Sequence, residues 1–321
     1  MKSRILITLP LPATVLDGLS QKFDLQVCDE SPMPSGQIAQ WAQTSDAILC
    51  SLGTSITGDL IRANPQLRTI SSISVGVDHI DMDAAMAAGL PIGHTPEVLV
   101  DSTADLALAL MLATTRRIVE ADRFVRQGQW SADWSTDFFL GSDLSRATVG
   151  IVGLGPTGLA VAKRVNAFGA KVIGWNRTER TVPGVRNVAL SELFAEADIV
   201  SIHTAATPET RHLVSAQRLA LMKPGAVIIN TARGSVIDES ALITALLKGK
   251  IRAGLDVYEQ EPLAKDSPLL AMENVVLMPH LGSATAATRQ AMMERAHANL
   301  VAGLEGKPLP WCANPEVYSG V

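Results

Sequence analysis

Three ionisable residues in the last third of the chain are of the types that acid–base chemistry on an organic acid requires. They are Arg233 in Asn230-Thr231-Ala232-Arg233-Gly234, Glu261 in Tyr258-Glu259-Gln260-Glu261-Pro262, and His280 in Met278-Pro279-His280-Leu281-Gly282. A histidine beside a carboxylate has its imidazolium form stabilised and becomes a usable proton donor near neutrality. An arginine alongside would bind an acid substrate. Taken singly, each has a plainer reading: a cap or surface ion pair for Arg233, a loop carboxylate for Glu261, a satisfied core histidine for His280. Upstream, Gly153-Leu154-Gly155-Pro156-Thr157-Gly158 fits G-x-G-x-x-G, with the strand-like Val149-Gly150-Ile151-Val152 before it and the helix-like Leu159-Ala160-Val161-Ala162-Lys163-Arg164 after it. Glycines at that spacing let the backbone turn tightly and approach a pyrophosphate, which then sits on the free amides of the helix N-terminus.

A dinucleotide loop of this kind predicts a second strand about 20 residues on, whose end selects between NAD and NADP. Selection of NAD uses an acidic residue there, but this chain reads Trp175-Asn176-Arg177-Thr178. A carboxylate would repel a 2′-phosphate, whereas Arg177 can clamp it with charge-assisted bonds and Asn176 and Thr178 can donate to it. The reading is therefore NADP(H) preferred, with NAD(H) possible. The plainer alternatives are a solvated Arg177, or an Arg177 stacked on adenine in a protein that accepts both.

Such residues need elements to position them. Short β-branched runs alternate with helix-length segments along nearly the whole chain, the rhythm of βαβ units and a parallel sheet. Early strands are expected at Ile5 to Leu9, Ala47 to Ser51 and Thr69 to Val75. Later ones are expected at Thr148 to Val152, Lys171 to Trp175, Ile199 to His203, Ala226 to Asn230, Ala253 to Val257 and Val275 to Met278. Each later strand is followed by an unusual residue: Gly153, Asn176, His203, Thr231 to Arg233, Asp256 and His280. Open parallel sheets bind ligands outside the carboxyl ends of their strands, so this is where an active-site rim belongs. Between the two sets, Ser102-Thr103-Ala104-Asp105 reads as a capping box opening a long helix toward Arg126 that links two domains. The helical segment Thr288 to Glu305 lies beyond the later strands and can return to the first domain. The expected organisation is α/β, with two Rossmann-like doubly wound parallel-sheet domains. Residues 1–98 and 286–321 form a substrate or lid domain, discontinuous in sequence, and 99–285 form a dinucleotide-binding domain.

Composition narrows the partners. The 321 residues are 47% hydrophobic and 18% charged, ample for a buried core, and exceed what one core comfortably spans. A net charge of -5 offers no basic field for nucleic acid or an anionic membrane, so a small molecule is the expected ligand. Cys28, Cys50 and Cys312 are odd in number and widely spaced, which argues against a disulfide framework or a thiolate zinc site; no metal is expected. The N-terminal apolar run ends at Pro10, too short for a signal peptide, and Leu106 to Ala113 is far short of a membrane span. The cytoplasm is the expected location.

Together these segments resemble the D-isomer-specific 2-hydroxyacid dehydrogenase family over nearly the entire chain. The matching motifs are Ser74-Val75-Gly76-Val77-Asp78-His79-Ile80-Asp81, the Gly153 loop, Asn230 to Gly234, Gly254-Leu255-Asp256-Val257 and Pro279-His280-Leu281-Gly282-Ser283-Ala284-Thr285. Within the family the His280 to Thr285 segment, Asn176-Arg177 and Trp134 are most similar to the glyoxylate/hydroxypyruvate reductases. The resemblance implies that His280 is the general acid, Glu261 its orienting carboxylate and Arg233 the clamp on substrate carboxylate and carbonyl. It also implies that the Val75 and Gly76 amides hold the substrate carboxylate from the other domain, domain closure completing the site. Leu52, Gly53, Trp134 and Ser283 would bound the substrate. The cofactor set would comprise Gly153, Leu154, Gly155, Pro156, Thr157, Gly158, Asn176, Arg177, Thr178, His203, Thr231, Ala232, Asp256 at the nicotinamide carboxamide, Thr103 and Gly282. Trp134 with Phe138-Phe139 would reach a partner subunit's site in a homodimer, or simply pack the dimer interface.

Two departures sharpen the expectation. Glu261 stands where formate dehydrogenases of this fold carry glutamine, and the sequence has no C-terminal regulatory domain of the kind many phosphoglycerate dehydrogenases append. A small unphosphorylated 2-oxo acid fits better. The leading reading is an NADPH-preferring reductase of glyoxylate and hydroxypyruvate to D-2-hydroxy acids. The alternatives are a broader D-2-hydroxyacid dehydrogenase using NAD(H), and a cofactor-sensing, non-enzymatic protein of the same fold.

Overall fold

The computed structural model describes residues 2–30, 33–131 and 135–319. The chain divides into two units, Met1–Val98 with Thr285–Val321, and Leu99–Ala284. In the first, β1 (Arg4–Ile7), β2 (Asp24–Val27), β3 (Ala47–Cys50), β4 (Thr69–Ser72) and β5 (Ile92–Gly93) alternate with α1 (Ala13–Ser20), α2 (Ser35–Ala42), α3 (Gly58–Ala63) and α4 (Met82–Ala87). The strands pair in the order β2-β1-β3-β4-β5, all parallel. Every residue of β3 and β4 is buried, as in a sheet covered on both faces.

The second unit opens with α5 (Val100–Thr115) and α6 (Ile118–Arg126). It continues through β6 (Thr148–Val152), α7 (Pro156–Ala167), β7 (Lys171–Trp175), β8 (Arg186–Asn187), α8 (Leu190–Glu196) and β9 (Ile199–Ile202). It ends with α9 (Ala216–Leu221), β10 (Val227–Asn230), α10 (Glu239–Leu247), β11 (Arg252–Leu255) and β12 (Val275–Leu277). The order β12-β11-β10-β9-β6-β7-β8, again all parallel, reverses direction between β6 and β9, the switch point at which doubly wound sheets bind dinucleotides. Alternate residues of one strand enter different cores: Ile228 packs with Phe194 and Leu219 on one face, Val227 and Ile229 with Leu110 and Val161 on the other. The sheet is thus buried on both sides and its polar chemistry is confined to its edges.

α11 (Ala286–Leu304) returns to the first unit, where Ser71 Oγ of β4 donates to the Ala296 carbonyl at 2.9 Å. It starts two residues before the expected Thr288 because the Thr285 hydroxyl caps it, accepting from the Thr288 amide.

The long helix expected from Ser102 toward Arg126 is instead two helices. Arg117 adopts a left-handed backbone, φ 55°, and is held there by a two-pronged ion pair with Glu120 and by its guanidinium stacking 4.7 Å above the Phe139 ring. Nor do Ser102 to Asp105 form a capping box. Leu99 occupies the cap position, Ser102 Oγ donates back to the Leu99 carbonyl, and Asp105 pairs with Arg164 at 2.7 Å. No helix among the described residues is long and apolar enough to cross a membrane.

Candidate active site

The glycine loop runs from the end of β6 into α7, and its three glycines do different work. Gly153 has φ +96° and a side chain there would strike the His203 carbonyl at 2.6 Å, while one at Gly158 would lie 2.0 Å from the Gly153 carbonyl. Both are demanded by the fold. Around Gly155 nothing lies within 4 Å and its φ is an ordinary -71°, so the chain itself leaves that space open. Pro156 starts α7, and the amides of Gly155, Thr157 and Gly158 make no hydrogen bond among the described residues. Open space above a glycine and unpaired amides at a helix N-terminus fit a pyrophosphate. Two buried hydroxyls without a partner among the described residues, Thr204 Oγ1 and Thr231 Oγ1, follow β9 and β10 on the same rim.

At the end of β7, Asn176 is engaged within the protein. Its Oδ1 accepts from the Leu154 amide at 3.0 Å and its Nδ2 donates to the Thr178 carbonyl at 2.8 Å. It braces the glycine loop instead of pointing free donors outward as expected. Arg177 and Thr178 are exposed. Arg180, which the sequence reading passed over, reaches back to donate to the Leu154 carbonyl at 2.9 Å. After β9, burial pushes the His203 imidazole down to about 4; its Nε2 lies 2.8 Å from Ser201 Oγ, and the ring is neutral at neutral pH.

The acid–base cluster stands at the ends of β10, β11 and β12. Asn230, the last residue of β10, staples the next three: its Oδ1 accepts from the Ala232 amide and its Nδ2 donates to the Arg233 carbonyl. Arg233 is half-buried, with Nη1 on the Ala232 carbonyl at 2.8 Å. Asp256, 1% exposed, spends one oxygen on the Leu281 amide (2.6 Å) and the other on the Gly282 amide (2.8 Å). Burial raises its pKa above the usual range, against the pull of those amides and of His280. Thr103 Oγ1 donates to the Gly282 carbonyl at 3.2 Å, closing the same turn from α5.

This stapling holds His280 in the left-handed region, φ +56°, a conformation on the order of 1–3 kcal/mol above the ordinary one for a non-glycine residue. Its Nδ1 lies 2.6 Å from Glu261 Oε2, while Glu261 Oε1 accepts from the Tyr258 amide at 3.0 Å. Burial pushes the Glu261 carboxyl up. The His280 hydrogen bond and charge, the Tyr258 amide and the charge of Arg233 outweigh it and hold the group below its usual range. With Nδ1 committed to a carboxylate, Nε2 is the nitrogen left to exchange a proton. Ser283 is half-buried just beyond.

In the first unit the loop after β4 presents the half-buried Val75 and Gly76, whose amides make no hydrogen bond among the described residues. Adjacent unpaired amides form a nest for an anion. The carbonyls around them are all taken: Thr95 N donates to the Ser74 carbonyl (2.7 Å), His94 Nδ1 contacts the Val75 carbonyl (3.0 Å) and Ser74 Oγ donates to the Gly76 carbonyl (2.7 Å). Ser72 Oγ bridges Ser74 Oγ at 2.7 Å and His79 Nε2 at 3.0 Å. These staples were missed because serines and histidines at such spacing carry no motif; their role depends on the loop's shape. Leu52 is half-buried and Gly53 exposed after β3. The neighbouring Cys50 thiol is pushed up to about 12 by burial and stays protonated. Trp134 lies outside the described residues, among which no cluster of metal ligands occurs.

A doubly wound dinucleotide sheet with a histidine–carboxylate pair at its strand ends defines an NAD(P)-dependent oxidoreductase. Residues 108–282 match the family described as "D-isomer specific 2-hydroxyacid dehydrogenase, NAD binding domain". The chain is 41% identical to a glyoxylate reductase of Thermofilum pendens, over 98% of this chain and 96% of that one. It is 40% identical to one of Thermococcus litoralis, over 99% of each. Among solved structures, the NADPH-dependent glyoxylate/hydroxypyruvate reductase of Sinorhizobium meliloti, in complex with NADP and malonate, superposes with a TM-score of 0.86 at 32% identity, over 98% of each chain. The chain belongs to the D-isomer-specific 2-hydroxyacid dehydrogenases.

Proposed function

We propose that the protein reduces glyoxylate and hydroxypyruvate to D-2-hydroxy acids, with NADPH preferred over NADH. The observation that carries this reading is the His280–Glu261 pair, which leaves the Nε2 proton available at the ligand-binding end of the sheet. When bound, the nicotinamide supplies the hydride to the substrate carbonyl carbon. His280 gives its Nε2 proton to the 2-oxo oxygen as negative charge develops there, and Glu261, 2.6 Å from Nδ1, keeps the ring oriented. Arg233 grips the carboxylate and polarises the carbonyl. The Val75 and Gly76 amides receive the carboxylate, and Leu52, Gly53, Ser283 and Trp134 limit the substituent to a short one.

For the cofactor, the Gly155, Thr157 and Gly158 amides take the pyrophosphate on the turn formed with Gly153, Leu154 and Pro156. His203, Thr231, Ala232, Thr103 and Gly282 line its path. Asp256 retains lone pairs for the carboxamide beyond the two amides it already accepts. Because Asn176 is spent on the loop, selection of the 2′-phosphate falls to Arg177, with the Thr178 hydroxyl beside it. The exposed turn carries Arg177 and Arg180 against Glu179, a positive balance that favours the extra phosphate.

The apolar arm after α5 supports a homodimer. Ile118, Val125, Trp130 and Leu140 are each more than half exposed, and Phe124, Phe138 and Phe139 pack edge to face with one another on the same segment. Exposed apolar surface of this extent marks a subunit contact. The three cysteines are free, in keeping with a reducing cytoplasm.

Initial rates with NADPH and NADH against glyoxylate, hydroxypyruvate, pyruvate and phenylpyruvate, compared as kcat/KM, test the assignment. The two small acids with NADPH should lead; preference for phenylpyruvate or for NADH would refute substrate or cofactor respectively. Arg177→Asp should lower the NADPH/NADH ratio of kcat/KM by at least about tenfold, the loss of a charge-assisted contact. An unchanged ratio would remove Arg177 from cofactor selection.

A further inference from the structure

At the opposite end of β11 and β12 from His280, a cleft of about 250 Å³ opens where α5 ends, beside α6 and the starts of those two strands. Arg117, Arg123 and Arg252 line it, with Glu120 and Glu273. Glu120 is consumed by Arg117, which it grips with both oxygens at 2.5 and 2.8 Å. That leaves two guanidiniums without a carboxylate within ion-pair distance among the described residues, Arg123 at the rim and Arg252 half-buried within. Arg252 carries five N–H donors, and its one side-chain hydrogen bond among the described residues is a long one, 3.3 Å, to the Thr114 carbonyl.

A partly buried guanidinium with no carboxylate in ion-pair contact is costly: burial first, and then the nearby Arg117, disfavour the charge on Arg252, and the more distant charge of Glu120 offsets them only in part. Alongside, Thr114 lines the same cleft at 4% exposure, and its Oγ1 has no hydrogen-bond partner among the described residues. A planar fork with unused donors, a second cation at the mouth and an orphaned buried hydroxyl are what a compact oxyanion would satisfy.

We infer that the cleft is a binding site for a small oxyanion, phosphate or carboxylate, held by the Arg252 fork, Arg123 and the Thr114 hydroxyl. It is built on different residues from the acid–base cluster. β11 separates the two: Arg252 begins it and Asp256 follows its end, about 13 Å along at strand rise.

The test uses the full-length protein saturated with NADPH, so that the glycine loop is filled. Inorganic phosphate and succinate are titrated separately by calorimetry and by thermal shift, into wild type, Arg252→Met and Arg123→Gln. Sites elsewhere contribute equally to all three proteins. At least one anion should bind the wild type and raise its melting temperature. Its affinity should fall at least about tenfold in Arg252→Met and by less in Arg123→Gln. Tighter phosphate assigns phosphorylated metabolites to the site; tighter succinate assigns carboxylates. If the methionine variant does not fold, Arg252→Lys keeps the charge, loses the fork and should weaken binding about fivefold. Equal affinity in wild type and variants overturns the site, as does no binding to wild type. Absent anion binding with a dimer that dissociates on Arg252→Met would overturn it in favour of a subunit contact.

Discussion

The rim around His280 and the Ser74–His79 loop are both held rigid by hydrogen bonds, but with different currency. The rim uses carboxylates: Asp256 on two amides, Glu261 on an imidazole and an amide. The loop uses hydroxyls, imidazoles and peptide groups around a pair of unpaired amides. Where a proton must move, charge is needed beside it, and the staple doubles as an electrostatic partner. Around the paired amides the bonds named above come from hydroxyls, ring nitrogens and peptide groups, and we propose that this spares an incoming carboxylate the repulsion of a carboxylate staple. The rim should therefore govern turnover and its pH dependence, and the loop should govern substrate affinity.

His280→Ala should cut kcat by about 10²–10⁴-fold, the usual worth of a positioned general acid, with cofactor affinity by fluorescence titration nearly unchanged. Turnover close to wild type would end the assignment of the rim to chemistry. Glu261→Gln keeps the shape and removes the charge, so about a 10–100-fold loss of kcat is expected, together with an altered acidic limb of the pH profile. The sign follows from the lowered pKa of Glu261. Its carboxylate persists below the ordinary range, so wild-type activity tied to this group is lost only as pH falls through that depressed value. An acidic limb identical in both proteins would place the effect elsewhere.

Ser74→Ala frees the Gly76 carbonyl. It should raise KM for the 2-oxo acid about fivefold, one hydrogen bond's worth, while leaving kcat and the pH profile alone. A fall in kcat with constant KM would dissolve the distinction between the two regions. His203 is the exception on the rim, a neutral ring. The unfolded chain takes up a proton below about 6.5, which the native ring refuses until about 4, so stability is lost as pH falls across that window. Wild type should lose melting temperature there more steeply than His203→Gln; parallel curves would disprove the burial of a neutral imidazole.

Much of this was legible in the sequence because the second unit speaks in strong local signals. Thr148–Val152 and Lys171–Trp175 are strands to the residue, since β-branched runs bounded by glycine or by helix formers have one reading. β2, β5 and β8 were missed: Asp24–Val27 has too little apolar pattern, and Ile92–Gly93 and Arg186–Asn187 are two-residue strands fixed only by their neighbours. The break at Arg117 was invisible because it comes from a guanidinium meeting Glu120 and Phe139, a tertiary event. In the same way the glycine loop, Arg233, Glu261 and His280 could be picked out by type and spacing, although singly each of the last three had a plainer reading and their roles came from the resemblance. The brace of Asn176 and Arg180 on Leu154, and the staples of Val75 and Gly76, existed only once the chain had folded.

The three glycines of the nucleotide loop record two kinds of selection. Gly153 and Gly158 are fixed by collisions within the protein, so any descendant that keeps the fold must keep them, whatever it does. Gly155 faces open space and meets no such internal constraint; only a ligand pressed against the backbone can hold it in place. A lineage that abandoned the dinucleotide would be free to let that one position drift while the other two stayed invariant. Gly155 is thus the part of the motif in which a history of binding, as distinct from a history of folding, is written.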